Sequence, residues 1–158
     1  MRDNGRYHYF GSDAAGMAAE RLCENTIIDF TAAFDLGDFD GMSRVFAADG
    51  VWKRQDGDVV GMSQLRSLMS ARAPGLFVRH VLSNVRTTFS SATDAVVESY
   101  LTVYRHDFPG EPGRPAPLGG PNLMGRYRDR LSLRGGEWML AGREVRVDFK
   151  QQQTEQQR

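Results

Sequence analysis

Phe77–Phe89 reads FVRHVLSNVRTTF, thirteen residues without glycine or proline and rich in valine, threonine and phenylalanine. That composition suits a pleated, half-buried strand and not a helix. Side chains two apart share a strand face, so Val78, His80, Leu82 and Asn84 are expected together on one side. Three further strands of similar length are predicted, over Asp94–Arg105, Met124–Leu133 and Trp138–Phe149. The short links Ser91-Ala92-Thr93 and Gly135-Gly136-Glu137 are hairpin turns, and the strands they join should run antiparallel in a meander.

Upstream of these strands the periodicity is helical. Ser12 or Asp13 can cap a helix over Ala14–Leu36, on which Cys23, Ile27, Phe30 and Phe34 form one apolar face. Gly37 ends it, and Asp38 can cap a short second helix with Met42, Val45 and Phe46 on its apolar side. Asp35 therefore falls at a helix junction. Asp49-Gly50 and Asp56-Gly57 read as turns around a short hairpin, Val51-Trp52-Lys53 with Val59-Val60. A third helix, about Ser63–Ala71, should bury Leu65, Leu68 and Met69. The fold class is α+β: a cone-shaped α+β barrel, with three N-terminal helices packed on a strongly curved, mixed but mostly antiparallel sheet. Such a cone leaves a cavity between helices and sheet that suits a small molecule.

With 158 residues the chain fits one domain. The expected organisation is a flexible N-terminus over 1–12, a domain over 13–149 and a disordered glutamine-rich tail over 150–158. The connection from Asp107 to Asn122 holds five of the six prolines and four glycines, as a lid, a partner surface or a disordered arm would. Twenty basic side chains balance twenty acidic ones. No long-range attraction to nucleic acid or to an anionic membrane follows from that balance. The arginines at 126, 128, 130 and 134 read as a solvated strand face. Cys23 is the only cysteine, so no intrachain disulfide can form, and no apolar run approaches the roughly 20 residues of a membrane helix. A cytoplasmic protein is expected. The histidines at 8, 80 and 106 lack metal-ligand spacing, so neither a metal nor another cofactor is expected.

His80 with Asp35 is the candidate chemical pair. An imidazole held by a carboxylate can move a proton near neutral pH, because its unperturbed pKa is about 6.5. The plainer reading is a histidine hydrogen-bonded on a sheet with no catalytic duty. Tyr127, Asp129 and Leu131 oppose the arginine face of their strand and should point inward, and a buried Asp129 demands a histidine, tyrosine or arginine partner. The strand Asp94–Arg105 can be oriented either way. If Tyr100, Thr102, Tyr104 and His106 face inward, a polar pocket forms around Asp129. If Leu101 and Val103 do, the tyrosines pack an outer surface.

Phe34-Asp35-Leu36-Gly37-Asp38-Phe39-Asp40, Arg79-His80 through Asn84, and Gly125-Arg126-Tyr127-Arg128-Asp129 leading to Glu137-Trp138 and Arg143 resemble the SnoaL-like branch of the nuclear-transport-factor-2-like fold. The resemblance spans Ala14 to Phe149. It looks nearest to scytalone dehydratase, the bile-acid 7α-dehydratases and hexachlorocyclohexane dehydrochlorinase, which share an aspartate-histidine dyad. The resemblance implies that His80 is the general base and Asp35 its partner. It also implies that His106 or Asp129 protonates a leaving group and that Tyr100, Tyr104 or Tyr127 holds an enolate. Phe30, Phe34, Trp52, Leu82, Asn84 and Arg146 would complete the substrate site. Where those dehydratases carry a tyrosine on the first helix this chain has Phe30 and Phe34, so a carbonyl-polarising phenol comes from another element or is absent. The implied function is dehydration or isomerisation of a hydrophobic, cyclic, carbonyl-activated substrate in a homodimer or homotrimer. Two alternatives remain. One is an epoxide hydrolase built on Arg105, Asp107 and Asp129, which needs Arg105 and Asp107 inward. The other is a non-catalytic subunit like the small subunit of ring-hydroxylating oxygenases.

Overall fold

The computed structural model describes residues 13–107 and 115–152. The expectations for residues 1–12, for the tail beyond 152 and for the middle of the Asp107–Asn122 connection fall outside the described residues. Helix α1 spans Ala14–Leu36, and Asp13 caps it by accepting a hydrogen bond from the Gly16 N–H at 2.8 Å. Cys23, Ile27 and Phe30 on its inner face are fully buried. Each large apolar side chain so buried is worth about 1.5–3 kcal/mol. Gly37 stops the helix with φ of +73°, a left-handed turn that a side chain would strain. That turn lets the N–H groups of Gly37 and Asp38 donate to the carbonyls of Phe34 and Ala33.

After it come α2 (Phe39–Val45), β1 (Phe46–Lys53), β2 (Val59–Val60), α3 (Gly61–Ser70), β3 (Leu76–Phe89), β4 (Asp94–Asp107), β5 (Leu123–Arg134) and β6 (Glu137–Lys150). The strands form one sheet in the order β2-β1-β6-β5-β4-β3. Every neighbouring pair is antiparallel except β1 with β6, which is parallel. The sheet stays open, with β2 and β3 at its edges, and α1 lies across β3, β4 and β6 to form the cone. No helix among the described residues is long and apolar enough to cross a membrane.

Three local expectations are corrected. Asp49-Gly50 is no turn but an irregular stretch within β1, where the register against β6 shifts between Phe46 and Val51. A side chain at Gly50 would come within 2.7 Å of the Phe46 ring, so glycine allows this kink. In β3 the register against β4 shifts between Ser83 and Arg86, and Asn84 adopts φ of +51°. Val78, His80 and Leu82 face inward before that bulge, and Val85, Thr87 and Phe89 after it, leaving Asn84 exposed. Asn84 is therefore not on the face of His80, because one extra residue inverts the alternation. In β4 the buried face is Val97, Ser99, Leu101 and Val103, so Tyr100, Tyr104 and His106 point away from the helices. The apolar face won because the helices offer it a core.

Candidate active site

Asp35 lies in the last turn of α1 and His80 near the start of β3, 45 residues apart in sequence and in direct contact. One carboxylate oxygen, Oδ1, lies 2.5 Å from His80 Nδ1, and the other, Oδ2, accepts the His80 backbone N–H at 2.8 Å. Both side chains are about nine-tenths buried, at 8% and 10% exposure. A carboxylate facing Nδ1 calls for a proton on that nitrogen, which leaves Nε2 as the atom that can take one from a ligand. The Phe34 ring meets the imidazole edge-on at 5.5 Å, and the indole of Trp52 meets Phe34 at 5.3 Å.

His80 borders a cavity of about 1000 Å³ between the helices and the sheet. Phe34, Trp52, Val78, Leu101, Val103 and Val145 give it apolar walls, with His80 and Tyr127 as polar points. Tyr127 is 4% exposed. Burial raises its pKa, against the pull of Arg143, so the phenol stays protonated and can donate. Charged groups ring the mouth. Arg54 is bonded by two contacts of 2.8 and 2.9 Å to Asp56 and lies over the Trp52 ring, while Arg105 pairs with Asp107 at 3.5 Å.

Asp129 points inward as its strand parity requires, yet it does not reach the cavity. Arg143 grips it through Nε at 2.7 Å and Nη2 at 2.8 Å, and a third donor, Nη1, reaches the Thr31 hydroxyl at 3.0 Å. Both partners are closed to solvent. Desolvation opposes the charge on Arg143, but the facing carboxylate outweighs it and raises the guanidinium pKa. The same cation lies 4.1 Å from the Tyr127 ring centre and holds that ring from behind. Asp129 is thus a structural anion and not an acid available to a ligand.

The other expected residues divide in the same way. Phe34, Trp52 and Tyr127 line the cavity, whereas Phe30 is wholly within the core, stacked on Phe46 at 5.5 Å. Leu82 packs against two core clusters behind the wall. Arg146, with its side chain 78% exposed, stands on the outer face near Asp148. Tyr104 and His106 border a separate outer groove of about 470 Å³ with Phe77 and Leu118, and Tyr100 is half exposed on the same side of the sheet. Arg105 and Asp107 do line the cavity, the parity that an epoxide-hydrolase grouping requires. Asp129 nevertheless pairs with Val97 at the far end of β4 and is sealed by Arg143, so that grouping does not assemble. Among the described residues no three histidine, cysteine or acidic side chains gather as a metal site.

Arg54 was not singled out from sequence, Arg105 was named only for the epoxide-hydrolase grouping, and Arg143 only within the family resemblance, without a link to Asp129. Arg143 had a usable signal. Counting back from the Gly135-Gly136 turn sets Asp129 opposite Gly142, and the register shift between Arg130 and Leu131 makes the partner Arg143 instead.

The chain matches the family model described as the SnoaL-like domain over residues 17–144. No curated protein matches it. Among solved structures, a protein of unknown function from Mycobacterium tuberculosis superposes with a TM-score of 0.69 at 21% identity, over 84% of this chain and 77% of that one. A type-3 hexachlorocyclohexane dehydrochlorinase from Novosphingobium barchaimii superposes with a TM-score of 0.71 at 15% identity, over 89% and 93%. A Novosphingobium aromaticivorans protein provisionally named a scytalone dehydratase gives 0.67 at 20% identity, over 85% and 87%. At these identities the solved structures speak for the fold, while the family match covers most of the chain. The protein belongs to the SnoaL-like domain family, on the α+β cone of the nuclear-transport-factor-2-like fold.

Proposed function

We propose that the protein is a cofactor-independent lyase or isomerase whose base is His80. One observation carries the reading: Asp35 holds His80 through both its ring and its backbone N–H, at the wall of a cavity lined by both apolar and polar side chains. A structural histidine needs no such cavity beside it. His80 Nε2 removes a proton from a carbon next to a carbonyl, and the electron pair moves to the carbonyl oxygen as an enolate. Asp35 stabilises the imidazolium that forms. Tyr127, a protonated phenol on the same wall, donates to the enolate oxygen.

With His106 outside the cone and Asp129 sealed against Arg143, the proton returns from the His80 imidazolium itself. Delivered to a departing hydroxyl as the enolate collapses, it completes a dehydration with water as product. Delivered to another carbon, it completes an isomerisation. A positioned base contributes about 10² to 10⁴ in rate. A cavity of about 1000 Å³ with apolar walls suits a flat, multi-ring hydrophobic ketone or thioester.

The test uses the purified protein with a panel of cyclic β-hydroxy ketones and enones in heavy water. Exchange at the acidic carbon is followed by proton NMR, and elimination by the absorbance of the unsaturated product. Exchange or elimination by the wild type that His80→Ala reduces at least a hundredfold, with thermal stability retained, is the expected result. Tight binding of such compounds without exchange in either form would instead mark a ligand-binding protein and end the catalytic reading.

A further inference from the structure

Arg72 lies on the short link between α3 and β3, and its guanidinium reaches back to the end of α1. Its Nη1 donates to the Phe34 carbonyl at 2.9 Å, and its Nη2 donates to the Asp35 carbonyl at 3.0 Å and, at a longer 3.4 Å, to the Leu76 carbonyl. The first two acceptors belong to the last turn of α1, where carbonyls have no partner within the helix. The third is the first residue of β3. The side chain also crosses the Phe34 ring at 5.3 Å, and its stem lies against Gly37, so it is enclosed on several sides.

We infer that Arg72 is the positioning residue of the dyad, tying the helix end that carries Asp35 to the strand start that carries His80. The inference rests on the reading of His80 as a base, and adds what sets its geometry. Arg72 touches neither reacting nitrogen nor the Asp35 carboxylate. It acts by holding the two backbones in one register, with Phe34 clamped between guanidinium and imidazole. The rigid planar fork serves Phe34 and Asp35 from two nitrogens while Nη2 also reaches Leu76, a fixed spacing that a flexible lysine stem does not preorganise. A cation at a helix C-terminus also complements the helix dipole. Burial lowers the Arg72 pKa, and the charge of Asp35 works against that loss, so the residue is electrostatically coupled to the dyad.

The test reads the dyad without any substrate. The Nδ1–H proton of His80 is observed by NMR in protein carrying ¹⁵N-labelled histidine and assigned by its loss in His80→Ala. Arg72→Met should broaden or shift that signal, while Arg66→Met, which removes another ring-stacked arginine from α3, should leave it as in the wild type. If Arg72→Met does not fold, Arg72→Lys is read instead, and a weakened signal is again expected. For any compound the wild type turns over, Arg72→Met should lower kcat by about ten- to a hundredfold with KM little changed, as misplacement of a base does. A wild-type-like signal in the Arg72 variant, or equal disturbance in Arg66→Met, would overturn the inference. The two readings fail separately: loss of the signal in a protein that turns nothing over removes the base and keeps the clamp.

Discussion

Both oxygens of Asp35 bind the same residue, one at the imidazole and one at the backbone N–H of His80. One carboxylate thus fixes the ring through Oδ1 and the strand that carries it through Oδ2. In Asp35→Asn the amide can present a donor where the carboxylate accepted, which reverses the favoured tautomer of His80. Turnover should fall by about 10⁴, the scale seen when the acid of a catalytic triad is made an amide. The loss of a hydrogen bond to a charged group should cost about 1.5–3 kcal/mol in urea unfolding. An Asn variant with full activity would show that tautomer control by Asp35 is unnecessary. At Asp129 the expected effect is on stability alone. Asp129→Ala leaves Arg143 buried without its carboxylate and should cost about 3–5 kcal/mol. The double variant Asp129→Ala, Arg143→Met should recover part of that loss, and unfolding free energies of the wild type, both single variants and the double variant give the coupling. The need for a partner at Asp129 was visible from strand parity and the cost of a buried charge. That the partner would exclude Asp129 from the cavity was not, because it depends on a register shift in the β5–β6 hairpin.

Among the elements, β3 and β4 carry the main lesson. Their extents follow from composition, and the structure adds only Leu76 at the start of β3 and His106 and Asp107 at the end of β4. Their faces do not follow so simply. In β4 both faces hold large side chains, and the alternation of Tyr100, Thr102 and Tyr104 with Leu101 and Val103 fits either orientation. The helices settled it by covering the aliphatic face. In β3 the bulge after Ser83 turns Asn84 outward in a left-handed conformation. Asparagine tolerates that backbone and a β-branched residue does not. Asn84→Val should therefore lose about 1–2 kcal/mol and Asn84→Gly close to nothing, measured by urea unfolding. Equal stability of the two variants would mean that the bulge relaxes without cost.

Taken as a whole, the molecule is an open sheet whose strands are cross-linked on the outside by ion pairs. Asp49 with Arg134 joins β1 to β5, Glu144 with Lys53 joins β6 to β1, and Asp148 with Arg126 joins β6 to β5. Hydrogen bonds from the cations lower the pKa of each of these carboxyls below its ordinary value. A carboxyl depressed in the folded state contributes stability above its unfolded pKa, about 3.9 for Asp and 4.3 for Glu, and loses it as pH falls through the lower folded value. Each pair is solvent-exposed and individually weak. Together they predict a urea midpoint that declines as the pH drops below about 4. A midpoint held constant down to pH 3 would mean that the pairs contribute nothing. The same scale frames the cavity, where an apolar interior ends in a charged mouth formed by Arg54, Asp56, Arg105 and Asp107.

Local chemistry in the sequence was enough to set the elements and the class of fold. Caps at Asp13 and Asp38, the stop at Gly37, the turn at Gly135-Gly136 and the uninterrupted strands act over a few residues, so they can be read without a partner. The pairing of Asp35 with His80 could be suggested from the sequence as well, through a pattern spanning helix and strand. Tertiary structure alone decided which strand faces look inward, which bulges reverse them, and that Asp129 belongs to Arg143. Those outcomes depend on packing between residues far apart in the chain, where a one-residue shift in register moves a side chain from core to solvent.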